Sequence, residues 1–146
     1  MAILHFTDSD KLKSKVIEAD YYPMRVKGIE SKPSSSKKSI NHFVTFEIND
    51  GLFNGKEFTV AFNTETSRAS VLGGMQFVPV TTFMELAAAT MGISIDAVPA
   101  DVDTDHLVGG TFDGKVEKGI FDGIVMNTVM TYLPLGQGKQ VEALPF

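Results

Sequence analysis

The sequence predicts a mainly β domain, a five-stranded antiparallel barrel with one helix between the third and fourth strands. Three observations support this prediction. Five segments alternate apolar and polar residues with the period of two that is typical of half-buried strands. Asn-Gly and Asp-Gly pairs, which favour tight hairpin turns, lie between neighbouring segments. One segment has helix-forming residues instead, with threonines at its start and a glycine at its end.

The first three predicted strands form a meander, and they span residues 22–31, 40–48 and 56–63. Pro23 near the start of the first strand indicates an edge or an entry point. In the second strand Val44 and Phe46 share the apolar face, whereas Phe43 falls on the polar face. Turn residues at 49–51 and 54–55 connect the second strand to the third.

The remaining predicted elements follow a stretch, residues 64–76, that has no clear period. A helix is predicted over 81–92, with a threonine as N-cap and Gly92 at its end. Strands at 111–120 and 124–133 then form a hairpin. Three strands, a helix and two strands are the element order of an OB-fold barrel, and an SH3-like barrel or part of a β-sandwich remains an alternative.

These elements divide the chain into three parts. Residues 1–15 form an N-terminal arm, in which Asp8 could begin a short helix or the chain could pack loosely. Residues 16–134 form the barrel, and the glycine-rich residues 135–146 form a flexible C-terminal tail.

Composition excludes several classes of protein. The chain has 146 residues, of which 21% are charged, and it has no cysteine. It therefore cannot use a disulfide scaffold, a thiolate zinc site or a cysteine nucleophile. No apolar stretch is long enough to span a membrane, and no cationic segment precedes the first apolar residues. We therefore expect a cytoplasmic protein that does not bind membranes.

No enzymatic motif is present, and we expect no catalytic residue, metal or cofactor. The acidic run 101–105 begins like a calcium-binding loop, but His106 stands where that loop needs glycine. His5, His42 and His106 lack the spacing of metal ligands, and His42 falls on the inward face of its strand. No Walker loop, G-x-S-x-G motif or dinucleotide-binding motif occurs.

Charge is distributed unevenly along the chain. The net charge is −5, yet residues 1–38 carry eight Lys or Arg and five acidic residues, a net charge of +3. The serine- and lysine-rich run 31–39 has no apolar anchor, so we expect an exposed cationic loop. The remainder of the chain is acidic.

These cations and one aromatic ring predict a site for single-stranded nucleic acid. Such a site needs cations for the phosphates and aromatic faces for the bases, and OB-folds build it on strands 2–3 and the loops beside them. Phe43 is the most informative residue, because an aromatic ring on a polar strand face needs something to cover it. The alternatives to a base are that the arm or the helix covers the ring, or that the second strand is buried on both faces. The predicted DNA-binding residues are Arg25, Lys27, Lys32, Lys37, Lys38, Asn41, Phe43, Lys115, Lys118 and Tyr132.

The C-terminus suggests a partner site. A glycine-rich spacer leads to Pro145 and Phe146, and a terminal ring with a free carboxylate can dock in an apolar pocket beside a basic residue. The alternative is a frayed end without function.

Strand and turn motifs occur at residues 16–26, 44–56, 107–109 and 121–129, and the serine- and lysine-rich loop lies between the first two. Together these segments resemble a family of bacteriophage single-stranded DNA-binding proteins with an OB fold. The resemblance implies binding of single-stranded DNA without marked sequence preference, in phage DNA replication or recombination, inside the host cell. The Pro-Phe end is also similar to the tails by which bacterial single-stranded DNA-binding proteins recruit partners, which implies that replication or recombination proteins could bind the tail. The alternative function is a protein-interaction or virion-associated β-barrel that does not bind nucleic acid.

Overall fold

The computed structural model describes residues 2–34 and 38–138. Its two α-helices are α1, Asp8–Ser14, and α2, Val80–Met91. Its strands are β1, Asp20–Pro33; β2, Ile40–Ile48; β3, Glu57–Asn63; β4, Ser70–Leu72; β5, Met75–Pro79; β6, Thr111–Phe121; and β7, Ile124–Leu133. Short 3-10 helices lie at Ile95–Ala97 and Thr104–His106.

The strands form one mixed sheet in the order β4-β5-β3-β2-β1-β6-β7. All neighbouring strands are antiparallel except β3 and β5, which are parallel. The sheet curls into a half-barrel, so the prediction of a mainly β, barrel-like fold is confirmed. The predicted count of five strands is wrong, because β4 and the start of β5 lie in the stretch 64–76, which shows no clear period, and the rest of β5 was not predicted as a strand.

These two strands were not predicted, because neither shows a clear alternation of apolar and polar residues. β4 has three residues, too few to display alternation. In β5 an inward position is occupied by the polar Gln76, which breaks the apolar pattern. Gly73 and Gly74 join the strands in a tight turn, both with positive φ, a conformation that glycine adopts at little cost.

The core lies on the concave side of the sheet. Phe46, Phe112 and Tyr132 pack around one another there, with ring centroids 5.1 to 5.6 Å apart. Helix α2 closes this side through Leu86 and Ala89, which are almost fully buried.

Helix α2 matches the predicted helix closely but begins differently. Gly92, with φ of 68°, ends the helix as predicted. The predicted threonine cap is wrong, because Pro79 is the N-cap residue and no side chain caps the first turn. Helix α1 confirms the helical alternative for the arm, and Thr7 and Asp10 form its capping box. No helix among the residues described is both long and apolar enough to cross a membrane.

One side chain bridges the open side of the half-barrel. The Gln76 Nε2 donates a hydrogen bond to the Val129 carbonyl at 3.0 Å, and the Val129 N–H donates to Gln76 Oε1 at 2.9 Å. The amide of β5 therefore pairs with the backbone of β7 as a neighbouring strand would. Gln76 is 3% exposed, so water does not compete for these bonds.

Candidate nucleic-acid interface

The face of β1, β2 and β3 that points away from the core is called the outer face below. Strand pairing arranges its side chains in four rows across the three strands. The rows are Arg25–Glu47–Glu57, Gly28–Thr45–Thr59, Glu30–Phe43–Ala61 and Lys32–Asn41–Asn63. A bulge at Lys27 inserts an additional cation between the first two rows.

A shallow groove of about 490 Å³ crosses the middle of the outer face. All of its lining residues come from β1, β2 and β3, so neither α2 nor the arm covers it. Phe43 lies in this groove between Glu30 and Ala61 and is only partly buried. In the described part of the chain its ring contacts no other aromatic ring and does not belong to the core cluster.

A second ring continues the row of Phe43. Phe77 of β5 pairs with Ala61, which places the two phenyl rings on either side of that alanine. Ala61 is fully buried, whereas both phenylalanines are partly buried. Phe77 is absent from the predicted site because β5 was not predicted as a strand. The sequence does contain a signal for this strand, since Met75 and Phe77 alternate with the buried residues Gln76 and Val78.

The cations at one end of the outer face are paired with carboxylates. Arg25 donates to Glu47 Oε1 from Nε at 3.0 Å and from Nη2 at 2.9 Å. Lys27 forms a short ion pair with Glu57 and lies 3.7 Å from Glu47 Oε2. The hydrogen bond from Arg25 lowers the pKa of Glu47, and the hydrogen bond to Glu57 raises the pKa of Lys27. Both groups are therefore charged at neutral pH.

The other end of the outer face follows the same pattern. Lys32 Nζ lies 3.2 Å from Glu30, and both side chains are mostly exposed. The three cations lie on one face as predicted, and each is paired with a carboxylate that the sequence pattern does not reveal. An incoming phosphate must therefore replace exposed ion pairs, each of which is worth only ~0.2–1 kcal/mol.

Asn41 is held in place by its neighbour on β3. The Asn63 Nδ2 donates to Asn41 Oδ1 at 2.6 Å and to Ser39 Oγ at 3.1 Å. The Asn63 Oδ1 in turn accepts from the backbone N–H groups of Glu65 and Thr66. This network ties Asn41 and Ser39 to β3 and so fixes the end of the β1–β2 loop.

The structure does not place Lys115 and Lys118 with the groove. Lys115 Nζ lies 4.8 Å from the centroid of the Tyr21 ring, at the opposite end of β1. Glu30 of β1 lies in the row of Phe43. With the bulge residue Lys27 left out, eight positions along β1 separate Tyr21 from Glu30, a distance of roughly 25 Å. Lys118 pairs with Glu18 at 2.7 Å on the β6–β7 hairpin. The structure therefore does not bring these two lysines together with Phe43, and their binding of DNA stays a prediction.

The prediction that Tyr132 binds DNA is wrong. Its ring lies in the core and is 4% exposed, so it offers no face to a base. The cause is a bulge between β6 and β7, where Lys115 pairs with Thr131 but Val116 pairs with Val129. This irregularity turns both Val129 and Tyr132 toward the core, whereas strict alternation would separate them.

Three predicted residues lie outside the described ranges, namely Lys37, Pro145 and Phe146. Lys38 is described and is exposed beside Ser39. His42 lies on the inner face as predicted, with its Nδ1 2.7 Å from Ser31 Oγ, and desolvation lowers its pKa. Within residues 2–34 and 38–138, no three acidic or histidine side chains cluster closely enough to hold a metal ion.

A comparison of the sequence with protein-family models and with curated proteins finds no match. The function of the chain is therefore inferred from its own sequence and geometry.

Proposed function

We propose that this chain binds single-stranded DNA on the outer face of β1–β3, largely without sequence preference. Phe43 stacks on a base, and Asn41 donates a hydrogen bond to the DNA. The phosphates bind to Arg25, Lys27 and Lys32. The observation that carries the proposal is the Phe43 ring, which is partly exposed in an open groove and packs on no other ring. The sequence resemblance adds a role in phage DNA replication or recombination.

The strand connections support a finer proposal for the fold, an OB-fold barrel with an insertion. β1 pairs with both β2 and β6, β3 follows β2, and α2 lies between β3 and β6. This arrangement is consistent with a partly open Greek-key barrel. β4 and β5 are then an insertion between the third strand and the helix, and Phe77 of this insertion extends the proposed surface.

Base stacking accounts for the lack of sequence preference. Every base has a π-face, and stacking on an aromatic side chain is worth ~1–3 kcal/mol per base. Phe43 and Phe77 lie two β-strand spacings apart, or about 10 Å. One extended DNA strand could therefore place a base on each ring.

The ion pairs on the outer face set the expected strength of binding. Each phosphate that reaches Arg25 or Lys27 competes with Glu47 or Glu57 for the same cation. Binding should therefore be moderate at low salt and should weaken steeply as salt increases, because counterions compete with phosphates.

A fluorescence-anisotropy titration with labelled oligo-dT at two salt concentrations tests this proposal. The wild-type chain should bind at low salt, and Phe43→Ala should bind about tenfold more weakly, because one stacked base is lost. Phe43→Tyr keeps the ring and should bind nearly as well as the wild type. Leu72→Ala is the matched control, since Leu72 is an exposed apolar residue on β4 and should not affect binding.

Two outcomes would refute the proposal. One is a folded Phe43→Ala variant with unchanged affinity, which would place any DNA site elsewhere. The other is no binding by the wild-type chain at low salt, which would favour the protein-interaction barrel instead.

A further inference from the structure

Strand β7 forms one edge of the sheet, and much of this edge has no partner. β7 pairs only with β6 in the described part of the chain. Gln76 satisfies the backbone of Val129, and the bulge beside Met130 disturbs the strand beyond it. The segment from Ile124 to Asn127 is left as a regular edge without a strand partner, whereas Thr128 is 5% exposed and shares a cavity with Ser70 and Val71 of β4.

The geometry of the hairpin shows which backbone groups point outward from this edge. The backbone N–H and C=O of Val129 point away from β6, because both bond to Gln76. Pairing with β6 is continuous from Val129 back to Ile124, so the backbone groups of Asn127 and Val125 point the same way. Among the described residues, no hydrogen bond is made to these outward groups.

The side chains along the edge do not protect it. β7 has no charged residue and no proline over its ten residues, although edge strands usually carry such residues to prevent pairing. Ile124 is 66% exposed, and Ile120 beside the edge is 72% exposed. An uncharged strand can pair with an identical strand without bringing like charges together.

We propose that β7 pairs with β7 of a second copy of this chain, antiparallel and about a two-fold axis at Met126. Val125 then pairs with Asn127 of the second copy. By symmetry, Asn127 pairs with Val125 of the second copy. The outward N–H and C=O groups of these residues form four hydrogen bonds in this register. The inference is independent of nucleic-acid binding.

The other edge of the sheet does not fit this role as well. β4 has only three residues, so it offers too few backbone groups for a comparable ladder. The axis at Met126 also brings Ile124 opposite Thr128 of the second copy, which covers exposed apolar surface.

A single engineered cysteine provides the first test, because the full chain contains none. On the proposed axis Met126 and its copy form a non-hydrogen-bonded pair, with Cα atoms about 4.5 Å apart, within the range for a disulfide. Met126→Cys should therefore form a disulfide-linked dimer readily under mild oxidation. Leu72→Cys on β4 is the control and should cross-link much more slowly.

Sedimentation equilibrium over a wide concentration range gives the second test. The wild-type chain should show reversible dimerisation. Met126→Lys places two ammonium groups directly opposite each other and should weaken self-association by about tenfold, whereas Leu72→Lys should not. The inference is overturned if the wild-type chain stays monomeric at all concentrations, or if Met126→Cys cross-links no faster than Leu72→Cys. The cysteine comparison decides the question even where Met126→Lys fails to fold.

Discussion

At the scale of single residues, Phe43 carries an apolar ring on a strand face whose other side chains are mainly polar. Its neighbours across the sheet are Glu30 and Ala61, and the ring lines the groove on the outer face. Exposure of an apolar ring to water is unfavourable, and a ligand that covers the ring would remove this cost. Phe43 is therefore better suited to binding than to packing the core.

In the proposed binding mode, Glu47 competes with a phosphate for Arg25. It accepts two hydrogen bonds from Arg25, and these bonds keep its pKa below the usual range. Glu47→Gln removes this competing charge, and we expect oligo-dT to bind about two- to fivefold more tightly, as exposed ion pairs are weak. Anisotropy titrations of the variant and wild type at low salt measure the change.

Glu65→Gln is the matched control for this prediction, because it removes the same charge from a residue outside the four rows. It should change the affinity much less than Glu47→Gln. Equal effects of the two substitutions would mean that net charge alone acts, and that Arg25 does not contact the strand.

Much of the candidate site could be predicted from the sequence. Alternation alone places Arg25, Lys27 and Phe43 on one face, and the structure brings these residues together. Alternation could not reveal the bulge beside Met130, which carries Tyr132 into the core. It also could not show which carboxylate meets which cation, because that depends on the register around the bulge at Lys27.

At the scale of elements, β5 joins the two ends of the half-barrel. It runs parallel to β3, and its Gln76 bonds to the backbone of β7 on the opposite edge. A buried amide with both of its groups satisfied fixes the position of each neighbour. β5 therefore sets the distance between the outer face and the β6–β7 hairpin.

Gln76→Leu should destabilise the fold by about 2 kcal/mol or more. The substitution keeps a similar volume but leaves the buried N–H and C=O of Val129 unpaired, and each such group costs ~1–3 kcal/mol. Urea denaturation followed by circular dichroism measures the difference in unfolding free energy.

Gln137→Leu is the control, since Gln137 is exposed. It should change the unfolding free energy by less than ~0.5 kcal/mol. If Gln76→Leu is as stable as this control, the amide bridge does not hold the half-barrel together.

Elements with regular alternation could be predicted from the sequence, and those without it could not. The predicted bounds of β2 and β7 coincide with the observed ones, because turn-forming residues lie at both ends of each strand. β5 has five residues, and its inward Gln76 is polar for a reason that appears only when β7 lies beside it. The partner that explains this residue is more than 50 positions away in the chain.

At the scale of the whole molecule, charge and topology act together. The chain carries a net charge of −5, so a polyanion is attracted to local cations and repelled by most of the surface. Pairing of two β7 edges about an axis perpendicular to the sheet would keep both outer faces on the same side. One strand of DNA could then meet two outer faces.

The most direct test of the account is tryptophan fluorescence, because the chain contains no tryptophan. Phe43→Trp places a single reporter in the groove, and Leu72→Trp places one on the edge strand β4. We expect oligo-dT to quench the fluorescence of Phe43→Trp, less so at high salt, and to leave Leu72→Trp unchanged. Unchanged fluorescence of Phe43→Trp under conditions where anisotropy shows bound oligo-dT would contradict the proposed stacking on the outer face.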